Sequence, residues 1–179
     1  MSEENTLSAE QAVVPWTSND WEPLNTLGVK YPITVPVIVS GPYTPEYATD
    51  GASGFDIRAW RGFFIRHERR YSFEIEPHET RKIPTGLRFA IPRGYEIQIR
   101  PRSGLSSRGL VAQFGTVDSD YRGEVSVILH NNTPRPILVE HGDRIAQGII
   151  APVIRAVFVR GEVTDDTERG SNGFGSTGA

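Results

Sequence analysis

The segment R-G-S-N-G-F-G-S-T-G, Arg169–Gly178, combines residue types that suit a phosphate ligand. Its glycines let backbone N–H groups approach an anion closely, and Ser176 and Thr177 add hydroxyl donors. Arg169 offers a planar fork of donors for a terminal phosphate. The segment is not a P-loop, because no Lys precedes the Ser-Thr pair and no helix follows. A flexible end is the alternative, but Phe174 favours a ligand, since an exposed ring suits a nucleobase better than a solvated linker.

A second pattern that suits an anion is P-R-S-G-L, Pro101–Leu105. We predict a short helical turn over Ser103–Arg108 with Ser103 as its N-cap, so that free amides of the first turn point outward. Arg102 lies beside these amides, and together they suit a phosphate. Taken alone, an ordinary capped turn explains the same residues.

Acidic residues follow in F-G-T-V-D-S-D-Y-R-G-E, Phe114–Glu124. Asp118 and Asp120 would face the same side on a strand, whereas a turn would splay them. A carboxylate here can orient a water, and Tyr121 can present its ring to a sugar. The same letters are typical of a turn between two strands, so both interpretations stay open. A-S-G-F-D-I, from Ala52, and G-D-R-I-A-Q, from Gly142, are weaker signals in isolation.

A β framework must position these segments. Gly contributes 18 residues and Pro 13, and no long stretch has helical periodicity. Apolar, alternating or β-branched runs predict strands at 33–39, 71–75, 86–91, 95–100, 124–129, 136–139 and 145–159, the last of them interrupted at Gly148 and Pro152. Pro36 makes the first of these an edge strand. Short strands at regular spacing favour a sandwich, jelly roll or distorted barrel.

The chain divides into three parts by composition. Residues 1–30 are an acidic extension that we expect to be partly disordered, 31–163 form the β body, and 164–179 are a flexible Gly-rich arm. With 37% hydrophobic residues the body can bury a core, and the absence of Cys excludes disulfides and thiolate chemistry. No membrane span or secretion signal is visible, so we expect a soluble, cytoplasmic protein. The net charge of −3 is too balanced for a general nucleic-acid binder, although 17 of the 19 basic residues are arginine.

Taken in order, these segments resemble the five motifs of the trimeric dUTPase family. The resemblance runs from P-E-Y-A-T-D-G-A-S-G-F-D-I-R-A at Pro45 through P-T-G-L at Pro84 to the C-terminus. It implies an all-β, distorted jelly-roll fold with one short helix. It also implies a homotrimer with active sites between subunits, each closed by a neighbour's C-terminal arm.

The resemblance further implies Mg²⁺-assisted hydrolysis of dUTP to dUMP and pyrophosphate, with attack at the α-phosphorus. Asp118 matches the carboxylate that activates the water and touches the 3′-hydroxyl, and Tyr121 matches the ring under the deoxyribose. Asp56 matches the acid that helps to hold Mg²⁺ through water. The uracil edge would be read by the hairpin around Gly115, Thr116, Val117 and Ser126. The phosphates would be held by Arg102, Ser103, Gly104 and Gln147. The arm would add Arg169, Gly175, Ser176 and Thr177, with Phe174 stacked on the base.

This chain departs from the family pattern in three places. The stretch between Leu105 and Asp118 is about one residue short, so the hairpin contacts are uncertain by one position. The Arg-rich segment Arg58–Arg70 is long; it is either a solvated loop or a surface for a partner or nucleic acid, although the activity requires no nucleic acid. The N-terminal extension has no counterpart.

Two other functions fit the same fold. A dCTP deaminase needs a proton-shuttling Glu at the place of Ile128, which cannot transfer protons, and it lacks the G-F-G-S-T-G arm. A regulatory binding protein would show decayed motifs, whereas all five are intact here. The four His residues show no metal-ligand spacing.

Overall fold

Alternating apolar side chains form two antiparallel sheets around one core. The computed structural model describes residues 34–61, 72–163, 167–168 and 170–171. The N-terminal extension, most of the Arg-rich segment, and the arm residues Arg169, Phe174, Gly175, Ser176 and Thr177 lie outside the described residues.

Ten strands and one four-residue helix occupy the described part of the chain. Their order is β1 (Ile38–Ser40), β2 (Phe55–Arg58), β3 (Ser72–Ile75), β4 (Thr80–Ala90), β5 (Tyr95–Arg100), α1 (Ser103–Ser106), β6 (Leu110–Ala112), β7 (Gly115–Val117), β8 (Val125–Asn131), β9 (Ile137–Glu140) and β10 (Arg144–Pro152). The predicted all-β class with one short helix is confirmed. The single helix is too short to cross a membrane, and the described residues contain no other.

The strands form a β1-β4-β8-β6 sheet, a β2-β10-β5-β7 sheet and a β3-β9 pair. Every pairing is antiparallel. Along β5, Ile97 and Ile99 are buried while Gln98 and Arg100 point the other way; along β8, Val127 and Leu129 are buried. The inner faces of both large sheets contribute to one cluster of buried side chains. Each fully buried aliphatic side chain stabilises the fold by about 1.5–3 kcal/mol.

Strand β4 begins earlier than the predicted 86–91 segment and runs through Pro84 and Gly86. Proline lacks a backbone donor, so it interrupts a regular ladder. Here the register with β8 shifts between Pro84 and Leu87, and the strand passes the proline through this bulge. Residues Thr85 and Gly86 therefore form a bulge in β4, called the β4 bulge below, at which the regular pairing with β8 is interrupted.

Strand β10 ends at Pro152, so the predicted strand over 145–159 is wrong in its second half. The physical cause is the end of the neighbouring strand: Pro152 pairs with Tyr95, where β5 begins, and one further bond joins Val153 N to Gly94 O at 2.8 Å. Beyond it, residues 153–163 have no regular structure. Four apolar side chains in this stretch are 86–94% exposed: Ile154, Val157, Phe158 and Val159.

Candidate functional site

The helical turn α1 follows directly from the end of β5, because Pro101 cannot extend the ladder. Arg102, with φ −99° and ψ 129°, is its N-cap, and no side chain caps it, so the prediction of Ser103 as N-cap is wrong by one residue. Leu105 N and Ser106 N both donate to Arg102 O at 3.0 Å. The amides of Ser103 and Gly104 belong to the first turn, where a helix has no internal acceptor to offer. They are therefore available to an anion.

Asp56 on β2 organises two arginines beside this turn. Its Oδ1 lies 3.2 Å from Arg102 Nε, and its Oδ2 accepts a 3.2 Å hydrogen bond from Arg144 Nη1. Arg102 Nη1 in turn donates to Arg144 O at 3.0 Å. The Arg102 Nε–H is buried and has no aligned acceptor among the described residues, so its attraction to Oδ1 is electrostatic. The carboxylate thus holds both guanidinium groups at the end of β5.

The register of the second sheet brings Gln147 into the same group. Gln147 on β10 pairs with Asp56 on one side and with Arg100 on the other. Partners directly opposite in a ladder share a face of the sheet. The face opposite the core therefore carries Asp56, Gln147 and Arg100 in one row, next to the first turn of α1.

The donor set around Asp56 does not form a protein cage for a metal. Within the described ranges, no group of three His, Asp or Glu side chains is arranged to hold an ion. Both oxygens of Asp56 already face arginines. Mg²⁺ commonly keeps several waters and takes its other ligands from substrate phosphates. A cation of that kind needs few protein ligands, and Asp56 is the carboxylate that this part of the site offers.

A small cleft of about 260 Å³ lies on the other side of Asp56 and is lined by Tyr43, Glu46, Arg58 and Arg144 among others. Burial raises the pKa of Tyr43, with the neighbouring Arg58 opposing the shift. Its hydroxyl accepts from Arg58 N at 2.8 Å and donates to Arg58 O at 3.2 Å. Tyr43 therefore stays neutral, and its hydroxyl binds both backbone groups of Arg58, the last residue of β2.

Strand β7 supplies the residues predicted to read the base. It pairs with β5 through Gly115, Thr116 and Val117 and is the last strand in its sheet order. An edge strand presents backbone N–H and C=O groups along its free side. Phe114, immediately before it, is 76% exposed. The edge of β7 can thus meet a planar ring with both donors and acceptors.

The loop from Asp118 to Gly123 is a turn that contacts itself closely. Tyr121 N donates to Asp118 O at 3.1 Å, and Arg122 Nη1 donates to Ser119 O at 2.6 Å and to Tyr121 O at 2.9 Å. Asp118 and Asp120 nevertheless line one cleft of about 660 Å³, together with Arg93, Glu96 and Arg155 among others. The segment is therefore a turn, and in this turn both carboxylates still line the same cleft.

Tyr121 is fixed on this loop with its ring partly exposed. Its hydroxyl donates to Glu124 O at 3.0 Å, and the side chain is 46% exposed. A Cβ on Gly123 would lie 2.3 Å from Tyr121 Oη, so only glycine fits beneath the ring. Gly123 and Glu124 were not among the predicted site residues, although both stand in the segment D-S-D-Y-R-G-E.

The predicted residues fall into two groups on the same sheet. Asp56, Arg102 and Gln147 gather at the end of β5, whereas Asp118 and Tyr121 lie at the far end of β7. Asp118 and Arg102 line different clefts, and four residues of strand, ~13 Å, separate their rows. The first group is Asp56, Arg102, Ser103, Gly104 and Gln147, and the second is Asp118 and Tyr121. Gly115, Thr116 and Val117 run along β7 between the two groups, with Gly115 opposite Ile99.

Ser126 joins neither group: it lies on β8, opposite Pro84 in the other sheet. Arg144 belongs to the first group but was not predicted as a site residue. The one signal for it in the sequence is its position in the segment G-D-R-I-A-Q. At the described start of the Arg-rich segment, Arg58 Nη1 and Arg61 Nη1 donate to the carbonyls of Gly142 and Ser72 at 3.0 and 2.8 Å. Both guanidinium groups are thus engaged within the chain.

Known proteins resemble this chain in sequence and in fold. The family profile described as dUTPase matches residues 43–178. A deoxyuridine 5′-triphosphate nucleotidohydrolase of Dinoroseobacter shibae is 50% identical over 137 residues, covering 75% of this chain and 86% of that protein. One of Chlamydia caviae is 44% identical over 145 residues, covering 78% and 93%.

Solved structures agree with these relatives. The dUTPase of Staphylococcus bacteriophage 80alpha with dUpNHpp superposes with a TM-score of 0.66 at 26% identity, covering 82% of this chain and all of that one. A point mutant of the dUTPase from phage phi11 of S. aureus, described with a structural Mg(II) ion, has a TM-score of 0.63 at 21% identity, covering 73% and 99%, and shows the shared fold. The match over residues 43–178 and the identity to the two curated relatives place this chain in the dUTPase family.

Proposed function

We propose that this protein hydrolyses dUTP to dUMP and pyrophosphate, which keeps uracil out of DNA and supplies dUMP. The observation that carries the proposal is the loop at the end of β7, which places Asp118 in an open cleft and, three residues later, presents the partly exposed Tyr121 ring. The relatives named for this activity support it.

In this proposal Asp118 accepts a proton from the attacking water. The water oxygen bonds to the α-phosphorus, and the bond from that phosphorus to the bridging oxygen breaks, so pyrophosphate leaves. A general base of this kind contributes about 10²–10⁴-fold to the rate. The Tyr121 ring lies under the deoxyribose and leaves no room for a 2′-hydroxyl. The free edge of β7 around Gly115, Thr116 and Val117 reads the uracil.

The phosphates bind at the end of β5. Arg102 is held by Asp56 and Arg144, so its remaining donors are oriented before substrate arrives. The first-turn amides of Ser103 and Gly104 and the side chain of Gln147 complete this half. The arm residues Arg169, Gly175, Ser176 and Thr177 cover the triphosphate, and Phe174 stacks on the base. Mg²⁺, when bound, neutralises triphosphate charge, and Asp56 contacts it through water.

A homotrimer explains why the two groups lie apart. One chain offers Arg102 and Asp118 in different clefts. If the site lies between subunits, the residues around Arg102 in one subunit meet the residues around Asp118 in the next. The exposed apolar side chains from Ile154 to Val159 suit burial against such a partner.

A nucleotide panel tests this function. The protein is mixed with Mg²⁺ and with dUTP, dCTP, UTP or dTTP, and the products are separated by chromatography. We expect dUMP and pyrophosphate from dUTP alone. Conversion of dCTP to dUTP with release of ammonia would instead indicate a deaminase, which Ile128, an apolar side chain 45% exposed on β8, argues against.

A further inference from the structure

The bulge in β4 leaves a backbone donor beside the site loop. Thr85, whose side chain is fully buried, donates its hydroxyl to Val125 O at 2.6 Å and accepts from Leu87 N at 3.2 Å. The threonine hydroxyl thus hydrogen-bonds to two backbone groups, Val125 O and Leu87 N–H, at the point where the register of the ladder shifts. Gly86 then has no opposite partner on β8, because pairing resumes only at Leu87.

Gly86 is confined to this conformation. Its φ of +69° belongs to the left-handed region that favours glycine, and a Cβ would lie 2.8 Å from Pro42 Cδ and 3.0 Å from Trp60 Cδ1. The bulge is therefore a rigid feature with a fixed N–H direction. An acceptor that binds this N–H gains a defined anchor.

Glu124 provides that acceptor. Its Oε1 accepts from Gly86 N at 2.8 Å, and its backbone oxygen accepts from the Tyr121 hydroxyl at 3.0 Å. Glu124 also stands immediately before β8. One residue therefore connects the rigid bulge, the Tyr121 ring and the end of the loop that begins at Asp118.

We infer that Glu124 is a positioning residue: its carboxylate anchors the loop of Asp118 and Tyr121 to the Gly86 N–H of the β4 bulge. The loop is held at its start by the β5–β7 ladder and at its end by this bond. Without it, Asp118 samples orientations in which the water is misplaced, and small displacements at a reacting centre lower rates strongly. The inference rests on the proposed role of Asp118.

Three substitutions test the anchor. Glu124→Gln keeps an oxygen acceptor for Gly86 N–H and is expected to retain kcat within about threefold. Glu124→Ala removes the acceptor, and Glu124→Asp withdraws it by one methylene; for both we expect kcat to fall about 10- to 100-fold, in line with the loss of a hydrogen bond and of loop geometry. If Gln is as impaired as Ala, the hydrogen bond is not the cause and the inference is overturned.

Glu79→Ala is the matched control. Glu79 Oε2 accepts from Glu76 N at 2.7 Å in the turn before β4, the same kind of bond away from both site groups. Both alanine variants are expected to lower Tm by a similar amount, whereas kcat falls only for Glu124→Ala. Equal kcat in the two variants at equal loss of Tm would reduce Glu124 to a structural role and overturn the inference.

A double variant separates this inference from the proposed function. In an Asp118→Asn background, Glu124→Ala should cause no further loss of kcat, because the group that it positions is already gone. A full additional loss would contradict the inference. An active Asp118→Asn protein would contradict the proposed base itself, and that result is distinct from an unaffected Glu124→Ala protein.

Discussion

At the scale of single residues, the site depends on charges held by short, specific contacts. Asp56 faces two arginines, and the loop of Asp118 is closed by bonds from Arg122 and Tyr121. In the proposed mechanism, Asp118 needs only an exposed carboxylate near the α-phosphate. The hydrogen bonds from Arg122 and Tyr121 determine the position of the loop that carries this carboxylate.

Asp118→Asn is expected to lower kcat by about 10²–10⁴-fold, because the amide cannot accept the proton from water. Binding of a non-hydrolysable imido analogue of dUTP, measured by calorimetry, should persist, since Arg102 and the β7 backbone are unchanged. A nearly normal kcat would point to another base, and Asp120, which lines the same cleft, would be the first to examine.

Gly123→Ala is expected to raise KM for dUTP about tenfold, because the proposed contact of the Tyr121 ring with the deoxyribose is lost; a tenfold change corresponds to about 1.4 kcal/mol. The added Cβ would lie 2.3 Å from Tyr121 Oη, so the ring must leave its place under the sugar. The control is Gly51→Ala, where a Cβ would have nothing within 4 Å. Steady-state kinetics with dUTP and UTP check the prediction: the Gly123 variant should also discriminate less against UTP. Unchanged KM and selectivity would show that the ring position does not matter.

At the scale of elements, the alternation of apolar residues predicted the strands well, because burial of one face determines which residues point inward. Ile97 and Ile99 on β5 are an example. The details that the pattern could not provide come from neighbours distant in sequence. The bulge at Thr85 and Gly86 depends on contacts with Val125, the first residue of β8, and with Glu124 just before it.

The end of β10 shows the same limit. The run Ile145–Val159 is apolar throughout much of its length, but a strand continues only where a partner continues. Because β5 begins at Tyr95, the ladder stops opposite it. In the site, the motif letters predicted Asp56, Arg102 and Asp118, whereas the contacts of Arg144 with Asp56 and of Glu124 with Gly86 are visible only in the structure.

Thr85→Val is expected to lower the free energy of unfolding by about 1–3 kcal/mol. The change keeps the side-chain shape but leaves Val125 O and Leu87 N without their buried partner. Urea denaturation measures the loss. Thr80→Val, which removes a more exposed contact of 2.9 Å with His130 Nδ1, should cost less. Equal losses in the two variants would mean that burial of the hydroxyl is not decisive.

At the scale of the whole molecule, the proposed trimer would bring together residues that one chain holds apart. Arg102 and Asp118 line different clefts, and the apolar side chains of the stretch after Pro152 are exposed. Both features fit an assembly in which each subunit completes its neighbours.

Mixing two inactive proteins tests this assembly. An Asp118→Asn chain and a chain lacking residues 169–179 should each be nearly inactive, the first without its base and the second without the arm's phosphate donors. After mixing and exchange of subunits, part of the activity should return, because some sites then combine an intact base with an intact arm. Sedimentation should give a mass near three times 19.9 kDa. A fully active species of single-chain mass would exclude shared sites.

The exposed stretch V-I-R-A-V-F-V, residues 153–159, also has a consequence for the lifetime of the enzyme. It is rich in β-branched and aromatic residues, carries a single charge and contains no proline, a composition that favours intermolecular strand pairing. In the proposed trimer a neighbouring subunit would cover this stretch, whereas on a separated subunit it would be open to pairing with other chains. Dilution below the dissociation constant of the proposed trimer should therefore inactivate the protein irreversibly by aggregation. Ligands that stabilise the contact between subunits should slow this inactivation.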